Sequence, residues 1–167
     1  MCNKKGDYTM KKIKERKIYF DMDGTIADLY GQEDWLLNLR NEVTTPYEKA
    51  CPMYDMKKLN AILEMLQAFN FSIGVITWGS LEASENYNKA VRKVKKQWVN
   101  DYLPVCSEFH FQRYGVPKHK ATYQNIRINK DILIDDNAEV RKAWTDKGGI
   151  AIEPTENLFK DLAKLIS

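Results

Sequence analysis

Five short apolar runs punctuate the chain, at 18–21, 71–77, 108–111, 131–135 and 149–152. They are continuous rather than alternating, which fits strands buried on both faces of a parallel sheet. Between them apolar residues recur every three or four positions, the period of a helix packed on one side. Met56, Leu59, Ile62, Leu63, Leu66 and Phe69 form one such stripe behind Asp55, a suitable N-cap. Ala83, Tyr87, Val91, Val94, Trp98 and Tyr102 form another, stopped by Pro104. Asn137 is placed to cap a helix through Trp144 that ends at Gly148, and Leu158, Leu162 and Leu165 mark a last helix opening near Thr155. Strands that alternate with helices predict βαβ crossovers and a three-layer, Rossmann-like, doubly wound α/β sheet.

Residues 26–54 interrupt this alternation. They carry a helical stretch, Trp35-Leu36-Leu37-Asn38-Leu39-Arg40, then turn-rich pieces around Thr45-Pro46-Tyr47 and Cys51-Pro52. Because the segment leaves the chain directly after the first strand, it reads as a small helical cap over that strand's end, with a peripheral packing insertion as the alternative. Residues 1–16 are basic and read as a flexible tail lacking the apolar stretch of a secretory signal. Residues 17–167 read as a single domain.

Composition narrows the picture. The 167 residues are 44% hydrophobic and 29% charged with a formal charge of +3, ordinary for a globular protein and no pointer to a polyanion or a membrane. No apolar run is long enough to span a bilayer. Three scattered cysteines and two histidines argue for a reducing, cytoplasmic setting and against a zinc centre, so any metal should be a hard cation held by oxygen. Lys89, Arg92, Lys93, Lys95 and Lys96 cluster on one helix; a solvated face is the favoured reading, and a nucleic-acid contact stays open.

The candidate chemistry lies in Asp21-Met22-Asp23-Gly24-Thr25, directly after the first strand. Open α/β sheets bind ligands at the carboxyl ends of their strands. A simple Asp/Gly turn is the plainer reading. A calcium loop of EF-hand type is ruled out, because Gly24 and Gly31 fall at the wrong loop positions. Three further segments sit at or after strand ends: Thr77-Trp78-Gly79, Pro117-Lys118 and Asp135-Asp136.

In order and residue type these four segments, within roughly 17–152, resemble the haloacid dehalogenase-like (HAD) hydrolases. The resemblance implies a phosphatase branch, since an acid stands two places after the first Asp. It implies Asp21 as a nucleophile forming an aspartyl-phosphate and Asp23 as general acid and base. Magnesium (Mg2+) is implied on the Asp21 carboxylate, the Asp23 carbonyl and Asp135. Thr77, with the N–H of Trp78 or Gly79, is implied as phosphate donor, and Lys118 as the offsetting cation, with Lys120 its rival. Asp136 and Thr25 are expected behind the metal ligands. The opening through Asp28 also resembles the 5′(3′)-deoxyribonucleotidase group, which commonly has Val where this chain has Thr. A nucleotide or another small phosphomonoester is therefore the expected substrate, and Tyr30, Trp35 and Tyr47 the candidates for touching it. A phosphorylated nucleic-acid end, a phosphoprotein, and a non-catalytic phosphate-binding module are the alternatives. Oligomeric state is not legible.

Overall fold

The computed structural model describes residues 15–122, 126 and 130–167. The expected basic tail therefore lies outside the described residues up to position 14. Arg16, its last member, instead opens the first strand.

Five parallel strands form the central sheet: β1 (Arg16–Phe20), β4 (Phe71–Trp78), β5 (Glu108–Gln112), β6 (Ile132–Ile134) and β7 (Ile150–Ile152). Their order is β5-β4-β1-β6-β7, so β1 lies at the centre between β4 and β6. Side chains alternate across the sheet, as the strand pleat requires. Ile18, Phe20, Ile73, Val75, Ile132 and Ile134 pack on one face with Leu59, Leu63 and Leu66 of α3 (Met56–Ala68). Trp98 and Val99 of α4 (Glu85–Tyr102), and Leu158 and Leu162 of α6 (Leu158–Ala163), join the same cluster. Tyr19, Ile76 and Leu133 face the other way, against Trp144 of α5 (Ala138–Asp146). The chain is thus an α/β protein whose parallel sheet is flanked by helices, consistent with a Rossmann-like fold.

The helix starts follow the expected capping chemistry. Asp55 accepts from Lys58 N, and Asn137 Oδ1 accepts from Glu139 N and Val140 N. Ser84 caps α4 through Tyr87 N. Phe69, expected on the buried stripe of α3, is exposed, because it falls at the C-cap where the helical face ends.

The insertion is closed by a short antiparallel ribbon, β2 (Ala27–Asp28) with β3 (Cys51–Pro52), and holds α1 (Trp35–Arg40) and α2 (Thr45–Lys49). Leu29 and Tyr47 pack with Tyr87 and Val91 of α4. Tyr87 Oη donates to Val43 O at 2.8 Å, and Trp98 Nε1 donates to Ala50 O at 2.7 Å. The insertion is therefore seated on α4 beside the carboxyl end of β1.

Candidate functional site

The chain must turn sharply after β1, and the sequence supplies the means. Gly24 sits at φ 79°, a left-handed conformation that favours glycine. A β-carbon there would also meet Tyr30 Cε2 at 2.5 Å and Asp136 Oδ2 at 2.7 Å. The Met22 carbonyl accepts from the N–H groups of Thr25, Ile26 and Ala27. This tight turn holds Asp21 and Asp23 at the sheet's carboxyl edge.

The carboxyl ends of β1, β4 and β6 and the loop after β5 bring the expected residues together. Lys118, in a short 3-10 turn behind Pro117, is 3% exposed and reaches both Asp21 Oδ1 and Asp135 Oδ2, the latter at 2.6 Å. Lys120, its rival, is exposed. Asp21 and Asp135 are themselves buried. Asp135 Oδ1 accepts from Asn137 N at 2.9 Å. Arg141 Nη1 donates to the carbonyls of both Asp135 and Asp136, which pins the loop after β6. Thr25 Oγ1 accepts from Asp136 N at 3.0 Å and stands 3.4 Å from Asp21 Oδ2 and 3.3 Å from Asp136 Oδ1.

Carboxylate oxygens of Asp21, Asp135 and Asp136 lie within 4.8 Å of one another. Asp136, expected to stand behind the ligands, thus joins the acidic cluster. The Asp23 side chain turns elsewhere. Its Oδ2 accepts from Lys95 Nζ, while its Oδ1 is buried without a hydrogen-bond partner among the described residues.

Lys95 departs from the reading of its helix as a solvated basic face. Lys89, Arg92, Lys93 and Lys96 are exposed, but Lys95 is fully buried. Besides Asp23, it donates to Thr77 Oγ1 at 3.0 Å and to Trp78 O at 2.7 Å, and it lies 4.8 Å from the Tyr47 ring centre. The signal was present: position 95 follows Val91 by four and precedes Trp98 by three, on the apolar stripe itself.

Thr77 is buried at the end of β4, and its hydroxyl accepts from Lys95, which leaves its own proton to donate. The Gly79 N–H is taken by Gln112 O at 2.8 Å, so it is no free donor. The Trp78 ring covers Lys118 Nζ at 5.2 Å, and its Nε1 donates to Val116 O, fixing the loop that carries Lys118.

Above this floor opens a cleft of about 410 Å³, walled by Tyr30, Trp35 and Leu36 of the insertion and by Trp78, Leu81 and Tyr114 opposite. Tyr30 and Trp35 meet edge to face, ring centres 5.0 Å apart. Tyr47 lines the cleft but is only 2% exposed, and its hydroxyl bonds to Ser80 Oγ. It therefore packs the insertion onto the core.

The electrostatics follow from crowding acids in a buried place. Burial, then the charge of Asp21, pushes Asp135 up to about 6. The same two causes raise Asp136. Burial raises Asp23 against the pull of Lys95. Burial would lower Lys118, but the charges of Asp21 and Asp135 outweigh it and hold the ammonium above its ordinary range. Four carboxyl groups, of Asp21, Asp23, Asp135 and Asp136, thus share two buried lysines, Lys95 and Lys118.

No helix among the described residues is long and apolar enough to cross a membrane. No protein-family model matches the chain, and no curated protein matches it in sequence.

Proposed function

We propose that this chain is a magnesium-dependent phosphomonoester hydrolase of the haloacid dehalogenase-like type, working through an aspartyl-phosphate on Asp21. One observation carries the reading: Lys118 bridges Asp21 and Asp135 at the sheet's carboxyl edge, on the floor of a cleft, with Thr77 and Asp23 alongside. A structural ion pair has no need of a cleft, of a second buried lysine, or of a third acid at hand.

The residues present fit a divalent cation. Their donors are all oxygen, which suits a hard ion, and the carboxyl groups outnumber the lysines that face them. Asp21, Asp135 and Asp136 would hold it, with the Asp23 carbonyl that the family resemblance supplies. When bound, it would screen Asp21 from a phosphate dianion and polarise the phosphoryl oxygens.

The chain's own groups would do the rest. Thr77 would donate to a phosphoryl oxygen and Lys118 would offset the charge gathering on the phosphoryl group. Asp21 would attack phosphorus, splitting one displacement into two. Asp23 would give a proton to the leaving oxygen, then take one from the water that hydrolyses the intermediate. The aromatic cleft, within the ~300–1,000 Å³ range of small-molecule sites, favours a leaving group with a flat ring, such as a nucleoside.

A panel of phosphomonoesters with purified protein and magnesium tests this. Hydrolysis that EDTA abolishes, with nucleoside monophosphates preferred over alkyl phosphates, is expected. A folded protein inert to the whole panel would replace the reading with that of a phosphate-binding module.

A further inference from the structure

Lys95 has no place in the reaction just described, yet its burial must be explained. A lysine ammonium is removed from water only where its donors are met. Here they are met by Asp23 Oδ2, Thr77 Oγ1 and the Trp78 carbonyl. Three donors meet three acceptors, so Nζ has nothing left to offer a substrate. Its neighbours on the same helix face, Val91 and Trp98, are core residues, so the side chain crosses from the core to the site.

Resting on the phosphatase reading, we propose that Lys95 is a positioning residue that clamps Asp23 by Oδ2, so that Oδ1 alone handles the proton. The unpartnered, buried Oδ1 is the independent observation. Buried polar atoms are normally paired, and one left open on a residue lining a cleft is an atom kept for a visitor. In the first step Asp21 bonds to phosphorus, the bond to the leaving oxygen breaks with its electron pair, and that oxygen takes the proton from Oδ1. In the second, water bonds to phosphorus, its proton goes to Oδ1, and the Asp21 carboxylate leaves with the electron pair. Inorganic phosphate and the alcohol are the products. A carboxylate free to spin would present either oxygen at varying angles, and proton transfer depends on hydrogen-bond reach.

Proton donation matters most to a poor leaving group, and this separates positioning from mere support. In Lys95→Met, kcat/KM for an alkyl phosphate should fall by about 10², in the range of a general acid's contribution. For dinitrophenyl phosphate, whose leaving group needs no proton, kcat/KM should stay within about threefold, because it reports only the first step. Turnover of that ester should then stall at the second step, giving a one-equivalent burst. The crystal structure of the variant should show Asp23 turned from its place while Asp21, Lys118 and Asp135 keep theirs.

The double variant Lys95→Met/Asp23→Asn guards against a single variant that does not fold, since it leaves no unpaired buried charge. If Lys95 acts through Asp23, it should be no slower than Asp23→Asn alone. An equal fall for both esters, an unmoved Asp23, or a further loss in the double variant overturns the inference while leaving the phosphatase reading intact. Wild-type protein that hydrolyses neither ester overturns both.

Discussion

Replacing Lys118 by Met keeps an unbranched apolar side chain there and deletes the charge that lies 5.2 Å from the Trp78 ring centre. Asp21 and Asp135 would then face each other across at most 4.8 Å with nothing between. That repulsion already acts in the wild type; what the variant removes is the opposing Lys118 charge at 2.6 Å, worth about 6 kcal/mol at an effective dielectric of about 20 and enough to displace the titration by several pH units. Asp135 already stands at about 6 against an ordinary 3.8, so in the variant it should hold its proton past neutrality. The proton caps the damage. Keeping Asp135 ionised in the wild type costs about 3 kcal/mol, and protonating it at about pH 7.5 costs about 5 kcal/mol, relative to the unfolded chain. The variant's extra loss at Asp135 is therefore about 2 kcal/mol there, or about 4–8 °C in Tm.

The sign follows from proton counting. Above pH 6 the folded variant holds one proton more than the folded wild type, so its deficit grows by about 1.4 kcal/mol per pH unit as pH rises. Near pH 6 it should almost vanish. Urea unfolding of both proteins in EDTA, from pH 6 to 8, measures it. A deficit that does not change with pH would refute the reasoning, because the lost interaction would not then involve Asp135. Turnover should suffer independently, by about 10² or more, as for other single electrostatic stabilisers.

Three aromatic residues of the insertion should separate by burial. Tyr47→Ala should lower Tm and depress all substrates alike, since removing a buried ring costs about 3–5 kcal/mol, whereas Tyr30→Ala and Trp35→Ala should shift kcat/KM between nucleotide and small aryl phosphate with little change in melting. A uniform loss in Tyr30→Ala with lowered Tm would make that residue structural. Asp136→Asn should raise the magnesium concentration for half-maximal activity by at least about tenfold, the least expected even for groups surrounding a metal, with little effect at saturation; an unchanged magnesium requirement would take Asp136 out of the metal site.

Much of the fold was legible because the signals are local. The strands are continuous apolar runs with few other places to go, and Asp55 and Asn137 cap helices by an interaction within one turn. Asp21, Thr77, Lys118 and Asp135 could be placed together because strand ends converge wherever a parallel sheet forms. Lys95 was obscured by its company. Four of the five basic residues in its run are exposed, and the run's polarity outweighed the stripe position that placed one of them inside. That Asp136 joins Asp135 in the acidic cluster depends on how the loop after β6 turns, which Arg141 and Thr25 fix from other parts of the chain. The packing of Tyr47 likewise depends on α4, some forty residues further on.

The aspartyl-phosphate is the point on which the phosphatase reading stands. Wild-type protein mixed with dinitrophenyl phosphate and magnesium, quenched in acid during turnover and reduced with borohydride, can be mapped by mass spectrometry. An acyl phosphate on Asp21 should appear as homoserine at position 21, in amounts that vanish with EDTA. Unmodified Asp21 in protein that is demonstrably turning over the ester, or homoserine at Asp23, Asp135 or Asp136 instead, would contradict the assignment.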